Sequence, residues 1–207
     1  MIAIVDYGVG NLFSLKSSLA AVGADTVVTS DRNKLRAADR IILPGVGAFG
    51  DAAEKLRAAG LDEYLIAEAG EGKPLLGICL GMQLLFERSF EYGEHRGLGL
   101  IPGEIRPIRE VVPKNLKIPH IGWNALHFSG RQHPLFRDVR EGDCVYFVHS
   151  YAAFGCGESL LATAEYGAEL TAAAACKNVM GCQFHPEKSG PVGLSILRAF
   201  CEEEKFC

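Results

Sequence analysis

The sequence predicts an α/β fold built on a largely parallel sheet, and three observations carry that prediction. Four-residue apolar runs such as Ile2-Ala3-Ile4-Val5 recur without polar alternation, as strands buried on both faces do. Segments with helical spacing separate them, beginning with Leu12, Leu15, Leu19 and Val22. Gly-rich turns follow the runs, at the sheet edge where ligands bind in open α/β folds. Strand and helix alternate four times before residue 86, which implies right-handed crossovers.

Taken in order, the first strand ends in the turn Asp6-Tyr7-Gly8-Val9-Gly10-Asn11. Its G-x-G lacks the third glycine of a dinucleotide fingerprint, so the loop is read as a surface for a partner protein. The first helix closes at Gly23. Residues 26–28 form a second strand, residues 35–39 a helical turn, and residues 40–43 a third strand running into Pro44-Gly45-Val46-Gly47. Residues 48–57 and 61–69 read as helices, and Lys73-Pro74 leads into a fourth strand. Beyond Phe86 the pattern loosens into short runs broken by Gly and Pro. Residues 105–112, 118–126 and 145–151 suit antiparallel ribbons, and residues 160–165, 171–176 and 180–184 the remaining strands. Residues 192–206 form a terminal helix with Ile196, Leu197 and Phe200 on its apolar face. No repeat or linker splits the chain, so residues 1–207 are read as one domain.

Composition narrows the function. With 48% hydrophobic and 22% charged residues, a large core is available. A net charge of −4 and a pI near 5.9 disfavour a nucleic-acid surface. The N-terminal segment lacks a basic stretch followed by a long apolar one, and no apolar run is long enough to span a bilayer. A cytoplasmic protein is expected, with no membrane partner. The 7 cysteines are odd in number and contain no C-x-x-C, against a disulfide framework or zinc ribbon. Apart from Cys79 they read as reduced thiols, with Cys201 and Cys207 expected to be exposed. The histidines show no ligand spacing, so neither metal nor cofactor is expected.

The chemistry centres on Gly77-Ile78-Cys79-Leu80-Gly81, a nucleophile elbow with cysteine in the serine position. A sharp strand-to-helix turn strains the central residue, and side chains two positions either way would crowd it. The helix N-terminus favours thiolate over thiol. The Leu80 N–H points at the same spot, ready for an oxyanion. A second donor is expected from Val46 or Gly47. The base is sought in Gln183-Phe184-His185-Pro186-Glu187. In an extended segment His185 and Glu187 project to one side, so the carboxylate can fix the imidazole tautomer and leave the other nitrogen for the thiol.

These three motifs, in this order, resemble the triad-type, or class I, glutamine amidotransferases. The blocks Pro119-His120-Ile121-Gly122-Trp123-Asn124 and Tyr146-Phe147-Val148-His149-Ser150-Tyr151 narrow the resemblance to the glutaminase subunits of imidazole glycerol phosphate synthases. The resemblance implies a three-layer fold with a largely parallel central sheet and an added antiparallel ribbon. It implies hydrolysis of L-glutamine through a Cys79 thioester, with His185 as acid and base and Glu187 orienting it. It also implies delivery of ammonia to a (β/α)8-barrel cyclase in histidine biosynthesis. By the same resemblance Gln83, Glu91, Ser150 and Tyr151 would bind the amino-acid end of glutamine, and Asn11, Trp123, Tyr146 and Lys188 would face the cyclase. A glutaminase serving another synthase and a stand-alone cysteine hydrolase share the elbow and the His-x-Glu pair.

Overall fold

The computed structural model describes residues 1–130, 132–203 and 206. The strands are β1 (Ile2–Val5), β2 (Thr26–Thr29), β3 (Arg40–Leu43), β4 (Leu75–Ile78), β5 (Arg88–Ser89), β6 (His95–Arg96) and β7 (Glu104–Pro107). They continue with β8 (His120–Ala125), β9 (His127–Phe128), β10 (Cys144–His149), β11 (Tyr151–Phe154), β12 (Leu160–Glu165), β13 (Glu169–Cys176) and β14 (Val179–Cys182). The α-helices are α1 (Leu12–Ala21), α2 (Arg32–Ala37), α3 (Phe49–Ala58), α4 (Leu61–Gly70), α5 (Leu80–Leu84) and α6 (Gly190–Glu202).

An eight-stranded sheet runs β2-β1-β3-β4-β14-β13-β12-β9. The pairs from β2 to β14 are parallel, and those from β14 to β9 antiparallel. The unbroken apolar runs explain the parallel part: β1 and β4 are buried at every residue. One cluster, containing Leu43, Phe49 and Leu56, fills one side, and a second, containing Ile42, Phe147, Phe184 and Phe200, fills the other. Helix α3 buries Phe49, Ala52, Ala53 and Leu56, the i, i+3, i+4, i+7 stripe of an amphipathic helix. Two smaller assemblies lie outside: the ribbon β8–β10, and a four-stranded sheet β11-β7-β5-β6.

Several expected boundaries move. Helix α2 begins at Arg32 rather than Leu35 because the Asp31 carboxylate caps it, accepting from Asn33 N at 2.8 Å. The strand expected over residues 105–112 stops at Pro107 and gives way to a 3₁₀ turn, Ile108–Glu110. The strand expected over 145–151 breaks at Ser150, so β10 pairs with β8 while β11 joins β7. Strands β5 and β6 fall in the polar stretch that gave no periodic signal. Helix α6 starts at Gly190 and ends at Glu202. Cys201 is half-buried rather than exposed and packs against the second cluster, and Cys207 lies outside the described residues. No described helix is long and apolar enough to cross a membrane.

Candidate active site

Cys79 stands between β4 and α5 with φ 54° and ψ −110°, a left-handed backbone that costs a non-glycine residue about 1–3 kcal/mol. Its surroundings fix it there. Cys79 N donates to Cys182 O at 2.7 Å, tying the elbow to β14, and Gln83 N donates to Cys79 O at 3.1 Å. The glycines are required by close approach. A Cβ on Gly81 would lie 1.9 Å from Leu43 O, and one on Gly77 would lie 2.7 Å from Gly81 O and from Met82 N. Helix α5 is barely more than one turn, so the donors at its start act as individual N–H groups; Leu80, Gly81 and Met82 have no acceptor within the helix.

The loop after β3 is pressed onto this elbow. A Cβ on Gly45 would meet Gly81 N at 2.7 Å and Leu80 Cβ at 3.0 Å. The buried Tyr7 hydroxyl donates to Pro44 O at 2.9 Å and anchors the loop to the turn after β1. Burial, and then the charge of Cys79, push the Tyr7 phenol well up. Val46 and Gly47 follow at the cavity mouth, Gly47 with φ 101°, a conformation suited to glycine.

His185 and Glu187 meet, but not along a strand. His185 is extended at φ −100° and ψ 97°, and Pro186 then starts a 3₁₀ turn, Pro186–Lys188, that brings the carboxylate round. His185 Nδ1 lies 2.7 Å from Glu187 Oε1, with both side chains 3% exposed. The turn is held from three sides. Ser189 Oγ donates to His185 O at 2.6 Å, Tyr146 N donates to Ser189 Oγ at 3.0 Å, and Gly193 lets α6 approach so closely that a Cβ there would sit 1.9 Å from Pro186 O. Burial opposes charge on His185, but the neighbouring Cys79 and Glu187 side chains outweigh it and hold the imidazole up at about 9. The buried Nε2 has no hydrogen-bond partner among the described residues, which leaves it for the thiol and a substrate.

These groups share a cavity of about 380 Å³, a size suited to a small ligand. Val46, Gly47, Cys79, Leu80, Gln83, Glu91, Ser150, Tyr151 and His185 all line it, while Glu187 lies behind His185. Glu91 Oε2 also accepts from Phe49 N at 2.6 Å, at the start of α3. Burial, only partly offset by that bond, raises the Glu91 carboxyl.

Three of the four residues expected to face a partner, Trp123, Tyr146 and Lys188, form a connected patch beside the cavity. Trp123 on β8 is 56% exposed and sits opposite Tyr146 on β10, with ring centroids 6.2 Å apart. Lys188 Nζ stands 5.9 Å above the Tyr146 ring and also lines the cavity. Asn11 is exposed at the N-cap of α1, where its side chain accepts from Ser14 N at 3.3 Å.

Sequence reasoning assigned no role to two buried groups beside the cavity. His149 lines it and belongs to a directional chain. A carbonyl can only accept, so His149 Nδ1 donates to Tyr151 O at 2.9 Å and its bare Nε2 accepts from His120 Nδ1 at 3.0 Å. His120 Nε2 in turn faces Asn124 Nδ2 at 3.3 Å. Burial leads in pushing both imidazoles down to about 4, so both are neutral near pH 7. The second is Gln183, whose side chain lies between Gln83 and Cys79. Neither role has a local sequence signature, because His120 stands 29 positions from His149, and Gln83 and Cys79 stand 100 and 104 from Gln183.

The glutamine amidotransferase class-I family model matches residues 3–203. The imidazole glycerol phosphate synthase subunit HisH of Sulfurimonas denitrificans is 50% identical over 202 residues, covering 97% of each chain. The HisH subunit of Bacillus velezensis is 49% identical over 203 residues, covering 97% of this chain and 95% of that protein. Among solved structures, a glutamine amidotransferase superimposes with a TM-score of 0.74 at 18% identity, over 97% of this chain and 99% of that one. PurLQS from Thermotoga maritima gives 0.71 at 20% identity over 96% of each chain, and both likenesses speak for the fold. With the family model spanning nearly every residue and half of all positions shared with HisH proteins, the chain belongs to the class-I glutamine amidotransferases and, within them, to the HisH subunits of imidazole glycerol phosphate synthase.

Proposed function

We propose that this single-domain chain hydrolyses L-glutamine to glutamate and ammonia at Cys79, and delivers the ammonia to a (β/α)8-barrel cyclase in cytoplasmic histidine biosynthesis. The observation that carries the reading is the buried His185–Glu187 pair. It leaves Nε2 of a charged imidazole free beside the Cys79 side chain on the cavity wall.

The Cys79 sulfur adds to the side-chain amide carbon of glutamine. The Leu80 N–H, with one from Val46 or Gly47, receives the oxyanion, and losing one such donor typically costs about 10²–10³ in kcat. Collapse breaks the C–N bond as the His185 imidazolium gives its proton to the leaving nitrogen, releasing ammonia and a thioester. The neutral His185 then takes a proton from water, hydroxide adds to the thioester carbon, and the C–S bond breaks. Glutamate leaves with its new carboxyl group, and the sulfur and imidazolium are restored. Glu187 holds the tautomer throughout. Gln83, Glu91, Ser150 and Tyr151 take the α-amino and α-carboxylate groups. Neither metal nor cofactor has a role.

The Trp123–Tyr146–Lys188 patch and Asn11 face the cyclase. An exposed tryptophan flanked by a tyrosine and a cation has the composition of an interface anchor. The test mixes the chain with a barrel cyclase and its phosphoribulosyl-formimino aminoimidazole carboxamide ribonucleotide substrate. Glutamine should support formation of imidazole glycerol phosphate. Formation with ammonium salts alone, and never with glutamine, would refute the proposal.

A further inference from the structure

Gln183 follows β14 directly and is completely buried. Its backbone N–H donates to Ala172 O at 2.8 Å, so its position is set by the antiparallel pairing with β13. Its side chain crosses beneath the elbow. Oε1 lies 3.0 Å from Gln83 Nε2, and Nε2 lies 3.8 Å from Cys79 Sγ.

The direction of these bonds follows from the one group that cannot be reversed. Tyr151 O is a carbonyl and only accepts. Gln83 presents its NH₂ to that oxygen at 3.1 Å, and the same NH₂ reaches Gln183. Gln183 must therefore offer oxygen to Gln83 and turn its own NH₂ to the sulfur. Tyr151 O is held by a second donor, His149 Nδ1, at 2.9 Å. Among the described residues Cys79 Sγ is the one acceptor found for the Gln183 NH₂. A buried donor needs an acceptor, and an ionised sulfur is a far better one than a neutral thiol.

We propose that Gln183 is a further catalytic residue: its amide donates to the Cys79 sulfur, in an orientation imposed by Gln83 and the Tyr151 carbonyl. The proposal rests on reading Cys79 as the nucleophile. It adds that the cavity wall and the sulfur are ends of one hydrogen-bond chain.

The experiment measures carbamidomethylation of Cys79 by iodoacetamide against pH, by peptide mass spectrometry on the full chain. Gln183→Glu keeps the volume and the acceptor for Gln83 but sets an oxygen against the sulfur. Gln183→Met removes the donor without adding charge. Both should move the alkylation curve to higher pH, and Gln183→Met should slow alkylation at pH 7 by about threefold to tenfold. Cys182, fully buried next to Gln183, reports the fold by staying unmodified. Curves matching the unsubstituted protein with Cys182 protected would overturn the proposal. If either variant exposes Cys182, Gln83→Leu decides, since it leaves Gln183 in place and removes the amide that aims it, together with the bond from Gln83 to Tyr151 O. A shift to higher pH there supports the proposal, and an unchanged curve overturns it. Alkylation reports on the sulfur and not on glutamine turnover. Full glutaminase activity in Cys79→Ala would separately refute the nucleophile reading.

Discussion

Two imidazoles in one cavity wall are pushed in opposite directions, one by burial and the other by its charged neighbours. His149 Nδ1 donates to a backbone carbonyl, burial dominates, and the ring falls to about 4. His185 is also buried, yet Cys79 and the Glu187 carboxylate beside its Nδ1 lift it to about 9. The imidazolium that the proposed mechanism needs to protonate departing ammonia is therefore present at neutral pH and lost above about 9. The kcat/KM profile for glutamine should fall on the alkaline side near that pH. In Glu187→Gln one raising cause is gone, so the fall should move to lower pH, with a kcat loss of about tenfold or more. The sign for stability is opposite at His120 and His149. Their folded pKa values lie below the unfolded 6.5, so the folded state binds fewer protons between about 4 and 6.5. Their contribution is complete above 6.5 and lost as pH falls to about 4. Denaturant titrations should show stability dropping through that window, by less in His120→Gln, which removes one titrating ring.

At the scale of elements, the elbow is a crossing of two backbones with no room between them. Gly81→Ala would drive a Cβ to 1.9 Å from Leu43 O, a contact of α5 with the end of β3 in which the obstructing atom is backbone. We expect a loss of about 3 kcal/mol or more in chemical denaturation, enough to threaten folding. This part of the molecule was legible in the sequence because its signals are local: unbroken apolar strands, Gly-x-Cys-x-Gly, and Pro-Gly-x-Gly at a strand end. The same holds for His185 and Glu187, although a 3₁₀ turn rather than an extended segment joins them. Other features depend on distant partners and left no local trace. Strand β11 exists because Tyr151–Phe154 finds β7 (Glu104–Pro107) far upstream, and β5 and β6 are two-residue strands in polar sequence. The Gln183 contact to Cys79 spans 104 positions, and Asp31 was a cap that hydrophobic spacing could not reveal.

Across the whole molecule, the ribbon β8–β10 connects the exposed aromatic patch to the triad. Tyr146 carries the ring opposite Trp123, while its carbonyl accepts from His185 N at 3.0 Å and its N–H donates to Ser189 Oγ. A partner pressing on the patch thus bears on the backbone that positions the imidazole. Trp123→Ala should weaken cyclase binding by more than about tenfold, as loss of an anchor tryptophan does, while glutaminase activity without the cyclase stays unchanged. Titration calorimetry with the cyclase, paired with an ammonia-release assay, checks both halves. Whether sulfur, imidazole and carboxylate act on glutamine together is decided by acid-quenching the working enzyme and mapping its peptides. A glutamyl thioester should be found on Cys79, and His185→Asn, which loses the acid of the first step and the base of the second, should release ammonia far more slowly. Ammonia release at the full rate with Cys79 unmodified in both proteins would rule out their joint action.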